Sequence, residues 1–393
     1  MPATLATLNA ITKEIYEGDV RKQLNNDVVM LRRIEKTSRG VSNEVGGRYV
    51  TFPIHTKRNT GIGSRNEMEA LPVAGQQGTA AVRIGLKYHY GAVQLTGQAI
   101  ALIDKNYQAF QSAMELELNG LKSDLANDQN RQVWGDGTGK IAASTSAGTL
   151  STLLVDNGHL FHVGEFVDIL SAAGVTIALG RTVTAQTATT VTISGGAVAV
   201  IVGSILVRGG NYNREWTGLA AIVSDTGTLY NVDPTVEPVW KAVVNNNGGT
   251  ATAVSENMWT KMVDDITDNG GKTTVIATSK GVRRAYANLL KAERQFVNVK
   301  EYTGGFSGIG FITDNGEIPV ITDYMAPKNQ ALFLNEDNIK LYRESDWSFM
   351  DLDGSKWNRK PGFDAYEATM YQYSELGIDR RNTHGKITNL IEE

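Results

Sequence analysis

The chain has 393 residues, of which 41% are hydrophobic and 20% charged, and its formal net charge is −4. This composition is typical of a globular protein, and the length allows two or three domains or one domain with a large insertion. The mild acidity excludes a protein that binds nucleic acid through its overall charge. The absence of cysteine excludes disulfides, thiolate zinc sites and cysteine nucleophiles. No signal pattern or apolar run of about 18 residues predicts secretion or membrane insertion.

Residues 1–47 are predicted to form an arm. Leu8, Ile11 and Ile15 recur at helical spacing, a second apolar cluster lies at Val28–Leu31, and Gly46-Gly47 ends the segment. We expect these apolar residues to pack on another part of the fold or on a neighbour, because so short a segment has no core of its own. Over residues 1–60, ten Lys and Arg outnumber six Asp and Glu. A solvated arm is the simpler interpretation, and a contact with a polyanion or an acidic neighbour is the alternative.

Residues 48–97 have the pattern of a long β-hairpin. Val50, Phe52 and Ile54 alternate on the outgoing strand, and Pro53 indicates an edge or irregular strand. The return strand alternates at Val82, Ile84, Leu86, Tyr88 and Tyr90. The Gly-rich polar loop from Asn59 to Thr79 is much longer than a compact hairpin needs. Such an exposed extension is understandable if another subunit covers it.

Residues 104–134 predict a long helix, whose apolar residues step by three or four positions. They are Tyr107, Phe110, Met114, Leu118, Leu121 and Leu125. Asp104 is a candidate N-cap, and Gly135 and Gly137 end the run. A helix of this length spans about 46 Å. Gly120, near its middle, costs about 1 kcal/mol relative to alanine and allows a bend.

Residues 141–213 predict an inserted β-rich domain. Short runs rich in Val, Thr, Ile and Ala alternate with glycines, which is typical of a small barrel or sandwich. The runs are Phe166–Leu170, Val175–Leu179, Thr182–Ala185, Thr190–Ile193 and Val198–Leu206. The only charged residues are Asp156, Glu165, Asp168, Arg181 and Arg208.

Residues 255–290 predict a helix, a strand and a second helix. Ser255 is the candidate cap of the first helix, Thr273–Ala277 is the strand, and Ser279 is the candidate cap of the second helix. Further strands are predicted at Phe311–Thr313, Ile318–Thr322, Ala331–Leu334, Ile339–Tyr342, Ala365–Tyr373 and Lys386–Leu390.

Four motifs that could carry chemistry are better explained as turns or loops. Gly135–Lys140 resembles a phosphate loop, but its spacing is one residue short, Ile141 replaces the metal-binding hydroxyl, and it closes a helix. Gly304–Gly310 lacks the strand–turn–helix frame of a dinucleotide site and predicts a flexible loop. His159 and His162 are expected in solvent-exposed turns, with no third ligand nearby in sequence. Asp351–Gly354 lacks the remaining ligands of a calcium loop.

The four motifs therefore predict no catalytic residue, no cofactor-binding residue and no metal ligand. No Ser/His/Asp arrangement can be built from the five histidines of the chain. We expect a protein that is not an enzyme and that needs no cofactor. An arm, a long hairpin and an extended helix indicate a subunit whose projections neighbours bury.

In order and spacing, these elements resemble the major capsid proteins of tailed bacteriophages, which share the Hong Kong 97 phage-type capsid fold. The end of the long helix, Trp134–Gly139, and the segment Glu215–Leu219 look like the two sides of an insertion into that fold. Gly316–Asp323, followed by Pro327 and Phe333–Asn335, looks like the late axial-domain strands. Tyr371–Leu390 looks like the closing strands. The resemblance covers nearly the whole chain.

The resemblance implies an α+β fold with a long spine helix, an extended hairpin loop and a β-barrel-like insertion domain. It divides the chain into an N-terminal arm (1–47), the hairpin loop (48–97), the spine helix of the peripheral domain (98–140), the insertion domain (141–213), a mainly axial domain (214–338), and peripheral strands with the C-terminal return (339–393).

The resemblance also implies a coat protein that assembles with itself, through hexamers and pentamers, into an icosahedral shell around phage double-stranded DNA. The expected partners are a portal protein and a decoration protein, with DNA held without sequence-specific contacts, and no membrane. Some members carry a scaffolding segment before the arm; this sequence has no room for one, so we expect a separate scaffolding protein. Residues 59–79 contain no lysine, so we expect no covalent crosslinking of the kind found in some members. The expected location is the virion, after assembly in the bacterial host cytoplasm.

Three other interpretations remain open at the level of sequence. An encapsulin-like bacterial compartment resembles the same fold, and the insertion and long hairpin argue weakly against it. An enzyme built on the α/β unit of residues 255–345 would need a pocket of perturbed titratable groups. A phage tail or adhesion protein could use the β-rich segment, but the long helix fits that poorly.

Overall fold

The computed structural model describes residues 27–38, 49–98, 107–292, 300–302, 306–314, 316–351 and 355–393. The apolar residues at helical spacing in the arm (Leu8, Ile11 and Ile15) and the candidate helix cap Asp104 lie outside these residues. None of the helices in the described ranges is long and apolar enough to cross a membrane.

The fold combines five α-helices with twenty-three β-strands in the described ranges. The helices are α1 (Val29–Arg33), α2 (Tyr107–Trp134), α3 (Leu219–Ile222), α4 (Glu256–Asp268) and α5 (Lys280–Ala292). The strands of the first part of the chain are β1 (Glu35–Thr37), β2 (Tyr49–Lys57), β3 (Gly78–Gly85), β4 (Lys87–Thr96), β5 (Lys140–Ala143), β6 (Gly148–Leu150), β7 (Thr152–Leu154), β8 (Phe166–Leu170), β9 (Thr176–Gln186), β10 (Thr190–Ile193), β11 (Val198–Val200) and β12 (Ile205–Arg208). Those of the second part are β13 (Val243–Asn245), β14 (Val275–Thr278), β15 (Lys300–Tyr302), β16 (Phe306–Thr313), β17 (Gly316–Thr322), β18 (Ala331–Leu334), β19 (Ile339–Arg343), β20 (Ser348–Phe349), β21 (Asn358–Arg359), β22 (Ala365–Ile378) and β23 (Gly385–Ile387).

The long helix α2 packs on a sheet built around the longest strand, β22. This sheet contains β1, β4, β19, β20, β21 and β22. A Cβ atom at Gly91 of β4 would lie 2.9 Å from Leu125 of the helix, so the helix and this strand are in close contact. The predicted long helix is confirmed over Tyr107–Trp134.

The hairpin of β2 and β3 ends earlier than its pattern indicates. β3 pairs with β2 only as far as Tyr49↔Gly85. After the buried Leu86 the chain enters β4, which pairs with β22 from Lys87↔Ser374 to Thr96↔Ala365. The prediction of a single return strand over residues 82–90 is therefore wrong. Alternation of period two continues through a change of partner, so the sequence pattern does not show where one sheet ends and the next begins.

A segment of the predicted arm belongs to the main core. Val29, Met30 and Leu31 are buried together with Trp134 and other core residues. The backbone N–H of Met30 donates to Asp323 at 3.2 Å, and Arg33 forms an ion pair with Glu336. β1 then pairs in parallel with β19. These contacts confirm that this apolar cluster packs on another part of the fold.

A seven-stranded sheet with α4 and α5 forms a second core. The strand order is β13-β23-β18-β14-β17-β16-β15, so β23, near the end of the sequence, lies between β13 and β18. The ring of Trp259 in α4 stacks on Tyr286 of α5 at 4.4 Å. Both predicted caps are confirmed, because Ser255 accepts from the N–H of Met258 and Ser279 from that of Val282.

Residues 140–208 form a separate β unit with its own core. Its six-stranded sheet has the order β5-β12-β8-β9-β10-β7, and β6 pairs with β11. The apolar residues buried inside it include Leu153, Phe161, Val167, Ile169 and Leu206. Two of the predicted strands, around residues 175–185, are one continuous strand, β9, whose register shifts opposite β8. The predicted strand over residues 198–206 is two strands, β11 and β12.

Candidate functional site

The loop between β2 and β3, residues 58–77, is called the hairpin tip. Ile62, Met68, Leu71 and Val73 expose between 82% and 100% of their surface there. Single exposed apolar residues are ordinary on protein surfaces, but a cluster of large ones indicates a contact surface.

The hairpin tip is held by its own hydrogen bonds. The N–H of Gly61 donates to Asn59 Oδ1 at 2.7 Å, and Arg65 Nε donates to the carbonyl of Ala70 at 2.8 Å. Met68 has a φ of 64°, which is unfavourable for a residue with a side chain. Strained conformations of this kind persist where the surrounding structure fixes them and are frequent at functional sites. The tip is therefore a preformed apolar projection.

The base of the hairpin is fixed in the protein. Val50, Val82 and Ile84 are at most 3% exposed and belong to the main core. The backbone N–H of Arg83 donates to the carbonyl of Tyr230 at 2.9 Å. Because its base is anchored, the hairpin presents the tip in a defined direction.

A group of tyrosines covers the face of the β4–β22 sheet that points away from α2. Tyr88 and Tyr90 of β4 are more than half exposed, and the ring of Tyr88 meets Tyr373 of β22 edge-on at 5.0 Å. Tyr371 lies 5.2 Å from Tyr373. Aromatic rings with exposed hydroxyls are frequent at protein interfaces, so this face is a second candidate contact surface.

A buried ionic network joins α2 to Glu165 and Arg208 of the inserted β unit and to Glu215, which follows the unit. Arg131 Nη2 lies 3.0 Å from Asp128 Oδ1 and 2.6 Å from Glu215 Oε1. Arg208 lies 3.0 Å from the same Asp128 and 2.9 Å from Glu165. Burial opposes ionisation of Asp128, but the two arginines outweigh it and hold the pKa of this carboxyl well below its usual range. The network fixes the unit where the chain leaves and re-enters the rest of the fold.

The segment Gly135–Lys140 is a turn, as predicted. Helix α2 ends before it, at Trp134. The backbone N–H of Thr138 donates to Asp136 Oδ1 at 2.9 Å, and Gly137 and Gly139 have positive φ. Because the segment follows the negative end of the helix dipole, its position does not favour phosphate.

The prediction of a flexible loop over Gly304–Gly310 is wrong for residues 306–310. These residues belong to β16, which pairs with β17. Gly310 lies beneath the side chain of Glu317, where a Cβ atom would overlap the glutamate. Here the glycine lets the Glu317 side chain lie close to the backbone of the strand. A glycine-rich strand of this kind resembles a loop in its sequence.

His162 is exposed, as predicted, whereas His159 is only partly exposed. The ring of His159 meets Tyr324 edge-on at 5.0 Å, and the Tyr324 hydroxyl donates to the His159 carbonyl at 3.1 Å. Burial lowers the pKa of His159. In the motif at 351–354, residues 352–354 lie outside the described ranges. Within those ranges, no three His, Asp or Glu residues are grouped to hold a metal ion.

Sequence reasoning missed the tyrosine face and the buried network. The tyrosines alternate along their strands, at 88 and 90 and at 371 and 373, which was a readable signal for one shared face. The network left no such signal, because Glu165, Arg208 and Glu215 are far from α2 in sequence.

The comparisons with known proteins agree with this architecture. The sequence model of the SU10 major capsid protein family matches residues 179–391, which is more than half of the chain. None of the curated proteins matches the sequence.

Two solved structures have a similar fold over nearly their whole length. The capsid asymmetric unit of cyanophage A-1(L) is 13% identical, with 97% of this chain and 99% of that chain covered and a TM-score of 0.60. The holo-SrpI encapsulin complex from Synechococcus elongatus PCC 7942 is 8% identical, with 99% and 96% covered and a TM-score of 0.50. At such identities the likeness shows the fold, and it confirms the Hong Kong 97 phage-type capsid fold. The family match over residues 179–391 shows that the chain belongs to the SU10 major capsid protein family.

Proposed function

We propose that this chain is the coat subunit that assembles with itself, through hexamers and pentamers, into an icosahedral shell around the double-stranded DNA of a tailed phage. The observation that carries the proposal is the hairpin tip, which presents Ile62, Met68, Leu71 and Val73 on a projection anchored in the core. In an isolated subunit these apolar side chains remain exposed to water. A neighbouring copy that covers the tip would bury them.

The proposed assembly assigns a role to each part of the chain. The arm (1–47) clasps a neighbour, apart from residues 29–37, which pack in the subunit's own core. The hairpin of β2 and β3, residues 49–85, lies over an adjacent subunit. The spine helix (98–140) and the strands of 339–393 form the peripheral domain, apart from β23, which pairs in the seven-stranded sheet. That sheet, mainly within 214–338, forms the axial domain, which meets its copies at the centre of each capsomer. In sequence, the insertion (141–213) lies between the spine helix and the axial domain.

The proposed partners follow from a coat-protein role. A separate scaffolding protein guides assembly in the host cytoplasm, a portal protein occupies one vertex, and a decoration protein is a further candidate. Packaged DNA is confined without sequence-specific contacts, which agrees with a net charge of −4. The role requires no catalytic activity, cofactor or covalent crosslink.

Electron microscopy of the expressed protein in negative stain tests the proposal. The full chain is examined alone and together with the neighbouring phage proteins, and sedimentation is measured in parallel. Closed polyhedral shells or rings of five and six subunits are expected. A stable monodisperse monomer under every condition would contradict the proposal and would leave the hairpin tip unexplained.

An encapsulin-like compartment is the second candidate, because the solved encapsulin shares the fold at a TM-score of 0.50. The two functions differ in what the shell encloses. Shells purified from the native host should contain double-stranded DNA if the chain is a phage coat protein, and a folded cargo protein if it forms a compartment. The family match favours the phage coat protein.

A further inference from the structure

The inserted β unit, residues 141–213, is joined to the rest of the subunit by two connecting segments that lie side by side. The backbone N–H of Asn213 donates to the carbonyl of Thr138 at 2.9 Å, which ties the outgoing segment to the returning one. Gly137 and Gly139 in the first segment and Gly210 in the second have positive φ. Glycine adopts many backbone conformations at little cost, so the two segments together provide a hinge.

The unit makes a further attachment to the loop that follows β17. The hydroxyl of Tyr324 donates to the carbonyl of His159 at 3.1 Å, and the rings of these two residues meet edge-on at 5.0 Å. Lys328 Nζ donates to the carbonyl of Asp156 at 3.3 Å. The contact of Tyr324 and Lys328 with residues 156–159 is here called the latch.

The loop that carries Tyr324 is itself fixed to the long helix α2. Asp323 is 3% exposed, and its carboxylate accepts from Asn130 Nδ2 of α2 at 2.9 Å and from the backbone N–H of Met30 at 3.2 Å. The backbone N–H of Met325 donates to the same carboxylate at 2.9 Å. The position of this loop relative to α2 is therefore set whether or not the inserted unit contacts it.

The latch and the buried ionic network hold the unit on different sides. In the sheet of the unit, β12 lies between β5 and β8. Asp156 lies beside β5, because its carboxylate accepts from the N–H of Ala143 at 2.8 Å. Glu165 directly precedes β8 and pairs with Arg208, which also contacts Asp128 of α2. A body held at one side can turn about that side, and an attachment on another side prevents the rotation.

The two attachments differ in how easily they open. Both hydrogen bonds of the latch are exposed to solvent, so water can replace them at little cost. Opening of the network would leave Asp128 and Arg131 as buried charges without partners, which is strongly unfavourable. The latch is therefore the attachment that opens first.

We propose that the latch fixes the orientation of the inserted β unit relative to the seven-stranded sheet, and that the unit turns about its glycine hinge when the latch is broken. The inference goes beyond the proposed shell and does not depend on it, because the hinge and the latch lie within one subunit. In a shell, latched units would have the same orientation in every copy.

A pair of spin labels tests the proposal, because the natural chain contains no cysteine. Val202→Cys carries one label between β11 and β12 of the unit, and Ile312→Cys carries the other on β16 of the seven-stranded sheet. The native side chains are 64% and 81% exposed. Double electron–electron resonance of the unassembled subunit then gives the distribution of distances between the labels. A single narrow distribution is expected when the latch is intact.

Tyr324→Ala together with Lys328→Ala removes the latch and should widen the distribution and shift its mean. The matched control is Tyr366→Ala together with Lys272→Ala, two exposed residues of the same types outside the latch, which should leave the distribution unchanged. Circular dichroism checks that each labelled chain folds. If the alanine pair does not fold, Tyr324→Phe with Lys328→Met removes only the two hydrogen bonds and should widen the distribution in the same direction.

Two results would overturn the proposal. One is a broad distribution in the labelled chain with an intact latch, and the other is an unchanged width and mean in the folded latch variant. Failure of the wild-type chain to form particles would contradict the proposed function instead, and sedimentation registers that failure independently of the distances within the subunit.

Discussion

The side chain of Arg381 organises the loops that surround it. It is 1% exposed, and its guanidinium donates to backbone carbonyls from three separate places in the chain. The acceptors are Ala221, Ile222, Thr226, Gly227 and Trp240, at distances between 2.9 and 3.4 Å. Burial lowers the pKa of this guanidinium to about 10, so it remains charged at neutral pH. Every donor position of its planar fork faces a backbone oxygen.

Replacing Arg381 by methionine should destabilise the subunit. The substitution keeps much of the volume but leaves several buried carbonyls without a donor, so we expect a loss of about 3 kcal/mol in the free energy of unfolding. Chemical denaturation of the unassembled subunit measures the effect. The control is Arg380→Met, because that neighbouring side chain is exposed and donates to the single carbonyl of Gly270. Equal stability of the two variants would contradict the prediction.

Glu375 is a buried carboxyl, and no basic side chain of the described residues forms an ion pair with it. It is 1% exposed, and one of its oxygens accepts from the backbone N–H groups of Thr217 and Leu376. Burial raises its pKa from 4.5 to about 8, and the two N–H groups and the more distant Lys87 offset only part of this rise. The group is therefore largely protonated in the folded protein at neutral pH.

This shift predicts a loss of stability as the pH rises. Above 4.5 the unfolded chain releases the proton, whereas the folded chain keeps it until about 8, so the unfolded state gains relative stability across this range. Glu375→Gln keeps the acceptor oxygen and removes the titration. Its stability relative to the wild type should rise steadily between these two pH values, as measured by denaturation at several pH values. A difference that does not change with pH would contradict the prediction.

At the scale of elements, helix α2 depends on its packing against β4. Gly91 of β4 lets Leu121 and Leu125 approach the strand, since a Cβ atom there would be about 3 Å from both leucines. Gly120, in contrast, has no atom within 4 Å of the position of a Cβ. Gly91 is therefore needed for close packing, whereas the position of Gly120 on the helix has no steric need for glycine.

Gly120→Ala should stabilise the subunit by about 0.5–1 kcal/mol, because alanine restricts the unfolded chain and favours helix. Gly91→Ala is the matched comparison and should destabilise it, because the new methyl group would displace the leucines. Thermal unfolding of the two variants beside the wild type measures both effects. A loss of stability in Gly120→Ala would show that the helix needs a bend at this position.

At the scale of the whole molecule, we expect the hairpin tip to be needed for assembly and not for the folding of a single subunit. The exposed side chains of the tip contribute little to the stability of a single subunit, since surface substitutions change it by about 0.5 kcal/mol or less. Leu71, which is 82% exposed, is a suitable position to test this separation.

Leu71→Asp should leave the unfolding of the subunit unchanged and should abolish or strongly reduce shells, because it would bury an unpaired charge at the contact between copies. Leu71→Met, which remains apolar, is the control and should assemble. Sedimentation and electron microscopy measure assembly, and denaturation measures folding. Normal shells from Leu71→Asp would show that the tip is not covered by a neighbour.

The sequence by itself determined the local elements. Helix α2, the serine caps of α4 and α5, the β-rich character of the inserted unit and the apolar face of the hairpin base all follow from periodicity and capping within a few residues of each position. The order of these elements was also enough to identify the resemblance to a capsid fold. The order and spacing of helices and strands can stay similar between proteins whose sequence identity is low.

Only the tertiary structure decided which elements meet. Val82, Ile84 and Leu86 are buried, whereas Tyr88 and Tyr90 continue the same alternation and are exposed, because β4 leaves the hairpin and pairs with β22. The network of Asp128 with Arg208 and the surroundings of Arg381 likewise join distant parts of the chain. A period of two or 3.6 describes one segment at a time, and the face that is buried depends on the partner that covers it.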